Sequence, residues 1–216
     1  MRYAVRSLTL TPRRYRRLLE AVYDRRPRTI VEVGTYDGRH ACQMIETAAV
    51  FAEPGEIDYH GFDLFDRLTE DELRKEFSKR PPSRAEVQER LERTGARIHL
   101  YEGYSRDTMP ALQRNERTGD GIDFAFIDGG HSLETVACDW ENVRRVMDVS
   151  SVVILDDYYP GDEPQVRDVG CRTLIEGLDR GVYDVEVLDP EDRFVKDWGV
   201  LRVRMVRARL RRPAAG

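Results

Sequence analysis

The chain has 216 residues, a formal net charge of −5, 40% hydrophobic residues and 35% charged residues. Such a length suits one domain with a full α/β core, and such a composition a soluble, globular chain with a heavily charged surface. No apolar run approaches the roughly 20 residues of a membrane span, and the start, MRYAVRSLTLTPRRYRR, reads as no signal peptide because it lacks an apolar core and a cleavage site.

The three cysteines, Cys42, Cys138 and Cys171, show no metal-binding spacing. An odd, sparse count points to reduced thiols and a cytoplasmic location. Charge is unevenly placed. Residues 1–28 carry nine arginines against Glu20 and Asp24, and the end of the chain carries Arg202, Arg204, Arg207, Arg209, Arg211 and Arg212. A basic end can touch nucleic acid or a membrane. The plainer reading is a solvated surface in a chain that uses arginine almost to the exclusion of lysine, and no aromatic-rich basic motif argues against it.

Thr11-Pro12 reads as an N-cap with proline at the first helical position, opening a helix with Tyr15, Leu18, Leu19, Val22 and Tyr23 on one face. TIVEVG (29–34) is an apolar strand carrying one acid, Glu32. TYDG leads from it into the helix RHACQMIETAAVF, which Glu53-Pro54-Gly55 stops. EIDYHGFD (56–63) is a second strand ending in Asp63. Residues 64–82 are charged and longer than a tight loop needs, so they read as an insertion or lid. Ser83 and Glu86 form a capping box for the next helix. ARIHLYEG (96–103) is the third strand. SRDTMPAL reads as a short helix, followed by the polar loop QRNERTGDG.

IDFAFID is the fourth strand. It ends at Asp128, Gly129, Gly130 and His131, ahead of a helix with Leu133, Val136, Trp140, Val143 and Met147 on its apolar side. SVVILDD is the fifth strand and ends in Asp156-Asp157. A turn-rich loop and a helix around CRTLIEGL follow. YDVEVLD and WGVLRVRMV, with no helix between them, suggest an antiparallel hairpin at a sheet edge. The alternation implies a single doubly wound α/β domain spanning 1–216. It has a seven-stranded, mostly parallel Rossmann-like sheet, a C-terminal antiparallel hairpin and a helical extension at 1–28.

Open α/β folds bind ligands at the carboxyl ends of their strands. Glu32, Gly34 and Gly38 give E-x-G-x-x-x-G at the first such end, a pattern that a buried turn explains as well as a ligand does. Asp63, 25 residues after Gly38, can accept both ribose hydroxyls of a nucleoside cofactor. That feature alone does not separate nicotinamide cofactors from others. The chain contains no Tyr-x-x-x-Lys of the kind a short-chain dehydrogenase uses, and the terminal hairpin is foreign to that fold.

Together these stretches resemble a known group. EVGTYDGRHA resembles the first cofactor motif of catechol O-methyltransferase and its relatives, with tyrosine in place of the middle glycine. EGYSRDTMP resembles that group's Gly-x-Ser segment near the adenine, and FIDGGH and ILDDYY its metal-bearing strand ends. GFDLFD with the insertion after it is more similar to macrocin-type sugar O-methyltransferases. The likeness covers roughly residues 29–160, and the combination is more specific than any one motif.

The resemblance implies S-adenosylmethionine as cofactor. Glu32, Gly34, Tyr36 and Gly38 would then shape the methionine pocket, with His40 near its carboxylate. Asp63 would bind the ribose, Gly103 and Ser105 would border the adenine, and Asp128 would lie close to the cofactor. Asp128, Asp156 and Asp157 would hold a divalent metal. Three converging carboxylates repel one another without a cation, and an all-oxygen set suits Mg²⁺, Mn²⁺ or Ca²⁺, with Mg²⁺ favoured. The alternative is that these acids only cap a helix and a loop. The third acid is an asparagine in the catechol group, so this site is more anionic. His131 stands where those relatives place a lysine, and a neutral imidazole can act as the base. A histidine that only caps the helix or bonds a carboxylate is the other reading. His60 and His99, inside strands, read as structural, and Trp140 as core.

The expected activity is divalent-metal-dependent O-methylation of a small hydroxylated molecule, a sugar or natural product, with residues 64–82 and 158–168 forming the acceptor pocket. A nucleic-acid methyltransferase using the arginine-rich ends is disfavoured because no Asn/Asp-Pro-Pro-Tyr motif is present. A non-catalytic cofactor-binding module is countered by the intact acids and His131. The N-terminal helix and the insertion offer surfaces for a homodimer, though no pattern demands one.

Overall fold

A computed structural model describes residues 12–76, 80–113 and 121–212 of the chain. Its strands are β1 (Thr29–Val33), β2 (Asp58–Asp63), β3 (Arg97–Glu102), β4 (Ile122–Ile127), β5 (Met147–Tyr158), β6 (Tyr183–Lys196) and β7 (Gly199–Leu210). Its helices are α1 (Tyr15–Arg25), α2 (Arg39–Ala48), α3 (Glu70–Lys75), α4 (Arg84–Glu92), α5 (Ser105–Thr108), α6 (Pro110–Gln113), α7 (Leu133–Arg144) and α8 (Arg172–Gly177). The strands form one sheet in the order β3-β2-β1-β4-β5-β7-β6. The first five are parallel, and β7 runs antiparallel to both β5 and β6. The expected α/β sheet and its edge hairpin are therefore both present.

Side chains alternate across the strands, so each central strand feeds two cores. Ile30, Phe124, Phe126 and Ile154 join α1, α2 and α4 through Leu18, Leu19, Val22, Met44, Ile45, Val87 and Leu91. Val31, Val33, Ala125, Ile127 and Val153 join α7 and α8 through Val136, Trp140, Val143 and Ile175 on the other face. Trp140 is core, as expected, and burying such a side chain contributes about 3 kcal/mol or more.

Several boundaries differ from expectation. Helix α1 starts at Tyr15 with Arg14 at its N-cap, and the Thr11 cap lies outside the described residues. Ser83 caps α4 in the expected capping box, and Thr69 with Glu72 forms a second one that opens α3 inside the insertion. Residues 77–79 of the insertion and 114–120 of the polar loop lie outside the described residues.

Candidate active site

Strand register builds the site. Val33 pairs with Phe62 and with Ile127, Phe62 with Tyr101, and Ile127 with Leu155. One residue beyond that line stand Gly34, Asp63, Glu102, Asp128 and Asp156. The predicted acids thus come to adjacent strand ends because the sheet is parallel and in register.

Gly34 has φ +91°, and a Cβ there would lie 2.0 Å from the Asp128 carbonyl oxygen. Its N–H donates to the Phe62 carbonyl at 2.8 Å. Only glycine fits this crossing of β1, β2 and β4. Tyr36 occupies the left-handed region at φ +49°, the conformation that the glycine it replaces would take freely. Asp63 holds the turn: its Oδ2 accepts from the Tyr36 N–H and its Oδ1 from the Phe65 N–H, both at 2.7 Å. Burial raises the Asp63 pKa, and the backbone N–H groups of Tyr36, Phe65 and Leu64 pull against it.

Glu32 is buried beneath the turn. Its Oε2 accepts from the Tyr59 hydroxyl, its Oε1 has no partner, and burial pushes its pKa up to about 8. Gly38 is the N-cap of α2 with φ +73°, and a Cβ there would lie 3.1 Å from Val87 and 3.2 Å from Leu91. Its small size admits α4 against the turn. His40 stacks on Tyr15 at 4.0 Å, meets Gln43 at 3.2 Å, and is kept neutral by burial.

Two cavities flank this turn. One, of about 390 Å³, is lined by Tyr15, Gly34, Tyr36, His40, Asp63, Asp128 and His131. The other, of about 70 Å³, is lined by Gly103, Ser105, Thr135 and Asp139. They share Gly34, Asp63 and Gly129 as walls, so the predicted methionine, ribose and adenine positions run along one hollow. Glu32 and Gly38 line neither cavity and support the turn from below. The insertion contributes Glu76 and Pro81 to the larger cavity, whereas the expected acceptor loop 158–168 contributes nothing to it among the described residues.

The acids carry partners of which the sequence suggested only one, a bond between His131 and a carboxylate. Asp156 is buried, and its two oxygens take Arg14 Nε at 2.7 Å and Arg14 Nη2 at 2.9 Å. Its Oδ1 also accepts the Asp157 N–H at 2.8 Å, and the Tyr15 hydroxyl bonds the same carboxylate. A carboxylate offers about four lone-pair sites, and Arg14 and the Asp157 N–H take three of those on Asp156. Asp157, at φ +57°, accepts from His131 Nε2–H at 2.9 Å and from the Tyr159 hydroxyl. Asp128 faces the cavity; burial, then Asp156 and Asp157, push its pKa well up, which favours the protonated form. A divalent cation does not fit this arrangement. Both oxygens of Asp156 already take the Arg14 guanidinium, and no three His, Cys, Asp or Glu side chains among the described residues are grouped to hold one.

His131 is fixed on three sides. Its N–H donates to Glu76 Oε2 at 2.8 Å, its carbonyl accepts from the Gly170 N–H at 2.7 Å, and Asp157 holds its ring. The hydrogen bond and charge of Asp157 raise the imidazole pKa. With Nε2–H donating to Asp157, the lone pair sits on Nδ1, the arrangement by which a buried carboxylate orients a histidine base.

Arg14, Glu76 and Asp139 were missed in the sequence. Asp139 is buried on the apolar face of α7 beside Val136 and Trp140, accepts from the Ser105 hydroxyl, and has its pKa raised by burial to about 7. An acid on an apolar helix face was the legible signal for it. His60 and His99 stack on each other at 4.6 Å inside the sheet and take no part in the site. A larger hollow, of about 780 Å³, lies at the opposite end of the sheet among Arg207, Arg209, Arg211 and Arg212, away from every candidate residue.

A family described as a methyltransferase domain matches residues 31–158. No curated protein sequence matches the chain. Among solved structures, cofactor-bound Rv0187 from MTB is 16% identical over 95% of this chain and 83% of its own, with a TM-score of 0.63. The O-methyltransferase TomG from Streptomyces achromogenes, in complex with SAM, is 16% identical over 89% of this chain and 77% of its own, with a TM-score of 0.60. CalS11, a TDP-rhamnose 3'-O-methyltransferase of calicheamicin biosynthesis, is 22% identical over 87% of this chain and 76% of its own, with a TM-score of 0.52. At these identities the likeness is one of fold.

Proposed function

The chain belongs to the methyltransferase-domain family, and on that premise we propose that it transfers the methyl group of S-adenosylmethionine to a hydroxyl of a small molecule, a sugar or natural product. One observation carries the choice of oxygen chemistry: a His131–Asp157 pair faces the same hollow as the Gly34–Asp63 turn. The bound cofactor supplies an electrophilic methyl group on its sulfonium sulfur. Asp63 would accept from the ribose with the lone-pair capacity that the backbone N–H groups of Tyr36, Phe65 and Leu64 leave free. Ser105 and Asp139 border the adenine end, and Tyr15, Tyr36 and His40 enclose the methionine end. His131 Nδ1 would take the proton of the acceptor hydroxyl, whose oxygen would gain the methyl group as the carbon–sulfur bond breaks and S-adenosylhomocysteine leaves, and Asp157 would stabilise the resulting imidazolium. Glu76 and Pro81 bring the insertion to the acceptor side.

The divalent ion expected from the resemblance has no place in this scheme, because Arg14 already holds both oxygens of Asp156. GFDLFD and the insertion after it support a sugar hydroxyl as acceptor. The test is product analysis after incubation with S-adenosylmethionine and a panel of nucleotide-linked sugars and polyphenols. The expected product gains one methyl group on oxygen. Methylation found only on nitrogen or carbon would sink the proposal.

A further inference from the structure

We propose that Arg14 is a built-in cation standing where a divalent ion was expected, so that this methyltransferase neither binds nor needs a metal at Asp128, Asp156 and Asp157. The proposal rests on the methyl-transfer reading for its chemistry, but its test reads metal binding directly.

The guanidinium is a fixed part of the site. Both its bonds to Asp156 are short and buried, in the parallel two-point geometry that arginine makes with a carboxylate. Its remaining nitrogen, Nη1, lies 3.5 Å from Asp192 Oδ2, and its Cζ sits 4.6 Å above the Tyr15 ring. Asp192 also accepts the backbone N–H groups of Arg13 and Arg14, each at 2.9 Å, and so anchors the start of α1. Asp192 reaches this position because the register of β6 on β7 shifts between Leu188 and Asp192. Arg14 is thus clamped between two buried carboxylates, one from the strand-end site and one from the edge hairpin.

The cation also answers the electrostatic need that pointed to a metal. Three acids meet, and Arg14 neutralises one of them while His131 bonds a second. A dication at the same place would have to break two charge-assisted bonds to Asp156 and sit beside a buried guanidinium.

The experiment is titration of Mn²⁺ into the full chain, with the free ion read by electron paramagnetic resonance, on wild type and on Arg14→Ala. Calorimetry with S-adenosylmethionine in EDTA and in Mg²⁺ runs alongside. Wild type is expected to leave Mn²⁺ free and to bind the cofactor equally in both buffers. Arg14→Ala, with Asp156 released, is expected to take up Mn²⁺ at least about tenfold more tightly than wild type. Arg14→Gln, which keeps an N–H donor without the charge, serves if Arg14→Ala does not fold. Uptake of one Mn²⁺ per wild-type chain overturns the proposal. Equal, negligible uptake by both variants overturns it too, since Arg14 would then replace nothing. Failure of cofactor binding in either buffer counts against the methyl-transfer reading and leaves the metal titration to be judged separately.

Discussion

Replacing Asp63 with asparagine separates its two tasks. In the fold, each carboxylate oxygen accepts one backbone N–H at 2.7 Å, from Tyr36 and from Phe65. An amide keeps one acceptor oxygen and turns the other into a donor, so one of these N–H groups loses its partner. Neither bond is fully buried, so the cost lies at the low end of the about 1–3 kcal/mol of an unpaired buried donor, and about 1 kcal/mol lowers the melting temperature of a chain of this size by roughly 2–4 °C. On the proposed reading Asp63 would also accept the ribose hydroxyls as a charged group. Hydrogen bonds to charged groups contribute about 1.5–3 kcal/mol each, and asparagine retains part of one. A net loss of about 2–3 kcal/mol weakens cofactor affinity roughly 30- to 150-fold. Calorimetry with S-adenosylmethionine and S-adenosylhomocysteine gives the second number, and a ligand-free melt gives the first. If Asp63→Asn melts lower yet binds the cofactor within about twofold of wild type, Asp63 only braces the turn and the ribose role is refuted.

Three further outcomes follow from the same geometry. His131→Ala is expected to lower methyl transfer about 10²- to 10⁴-fold while cofactor affinity stays within about twofold; a rate close to wild type would remove His131 as the base. Gly34→Ala places a methyl group against the Asp128 carbonyl at a φ that disfavours it, so a loss of at least about 3 kcal/mol in urea unfolding is expected, and an unchanged midpoint would contradict the close approach of β1 and β4. Glu32 ionises near pH 4.3 when unfolded and at about 8 when folded. The unfolded chain releases its proton first, so Glu32 costs stability progressively as pH rises from about 4.3 to about 8 and uniformly above that. Glu32→Gln should therefore melt higher than wild type at pH 8 and flatten the decline between pH 6 and pH 8.5, and parallel pH profiles would show that Glu32 is already ionised in the fold.

Much of the site was legible because parallel strands place their final residues side by side. Asp63, Asp128 and Asp156 each follow an apolar run, and Gly34 follows the first, so reading strand ends was enough to group them. The partners of those acids were not legible. Arg14 lies 142 residues from Asp156 and looks like any other arginine in a basic N-terminal stretch. Asp192 reaches it through a register shift in β6 that no local pattern announces. Glu76 is one acid in a charged insertion, and only the fold brings its carboxylate to the N–H groups of His131 and Ser132. Local periodicity recovered the elements and the residues at their ends. It could not show which distant cation neutralises a buried acid, and the expected metal was an answer to that missing charge. Gly38 carried a related ambiguity: its positive φ fits the turn reading, but its small size serves the packing of α4.

Calorimetry on the wild-type chain decides whether the hollow along β1, β2 and β4 is an S-adenosylmethionine site. One molecule is expected to bind per chain with a Kd well below about 1 mM, displaced by S-adenosylhomocysteine and indifferent to NADH. No measurable binding at that concentration, or displacement by NADH, would contradict it.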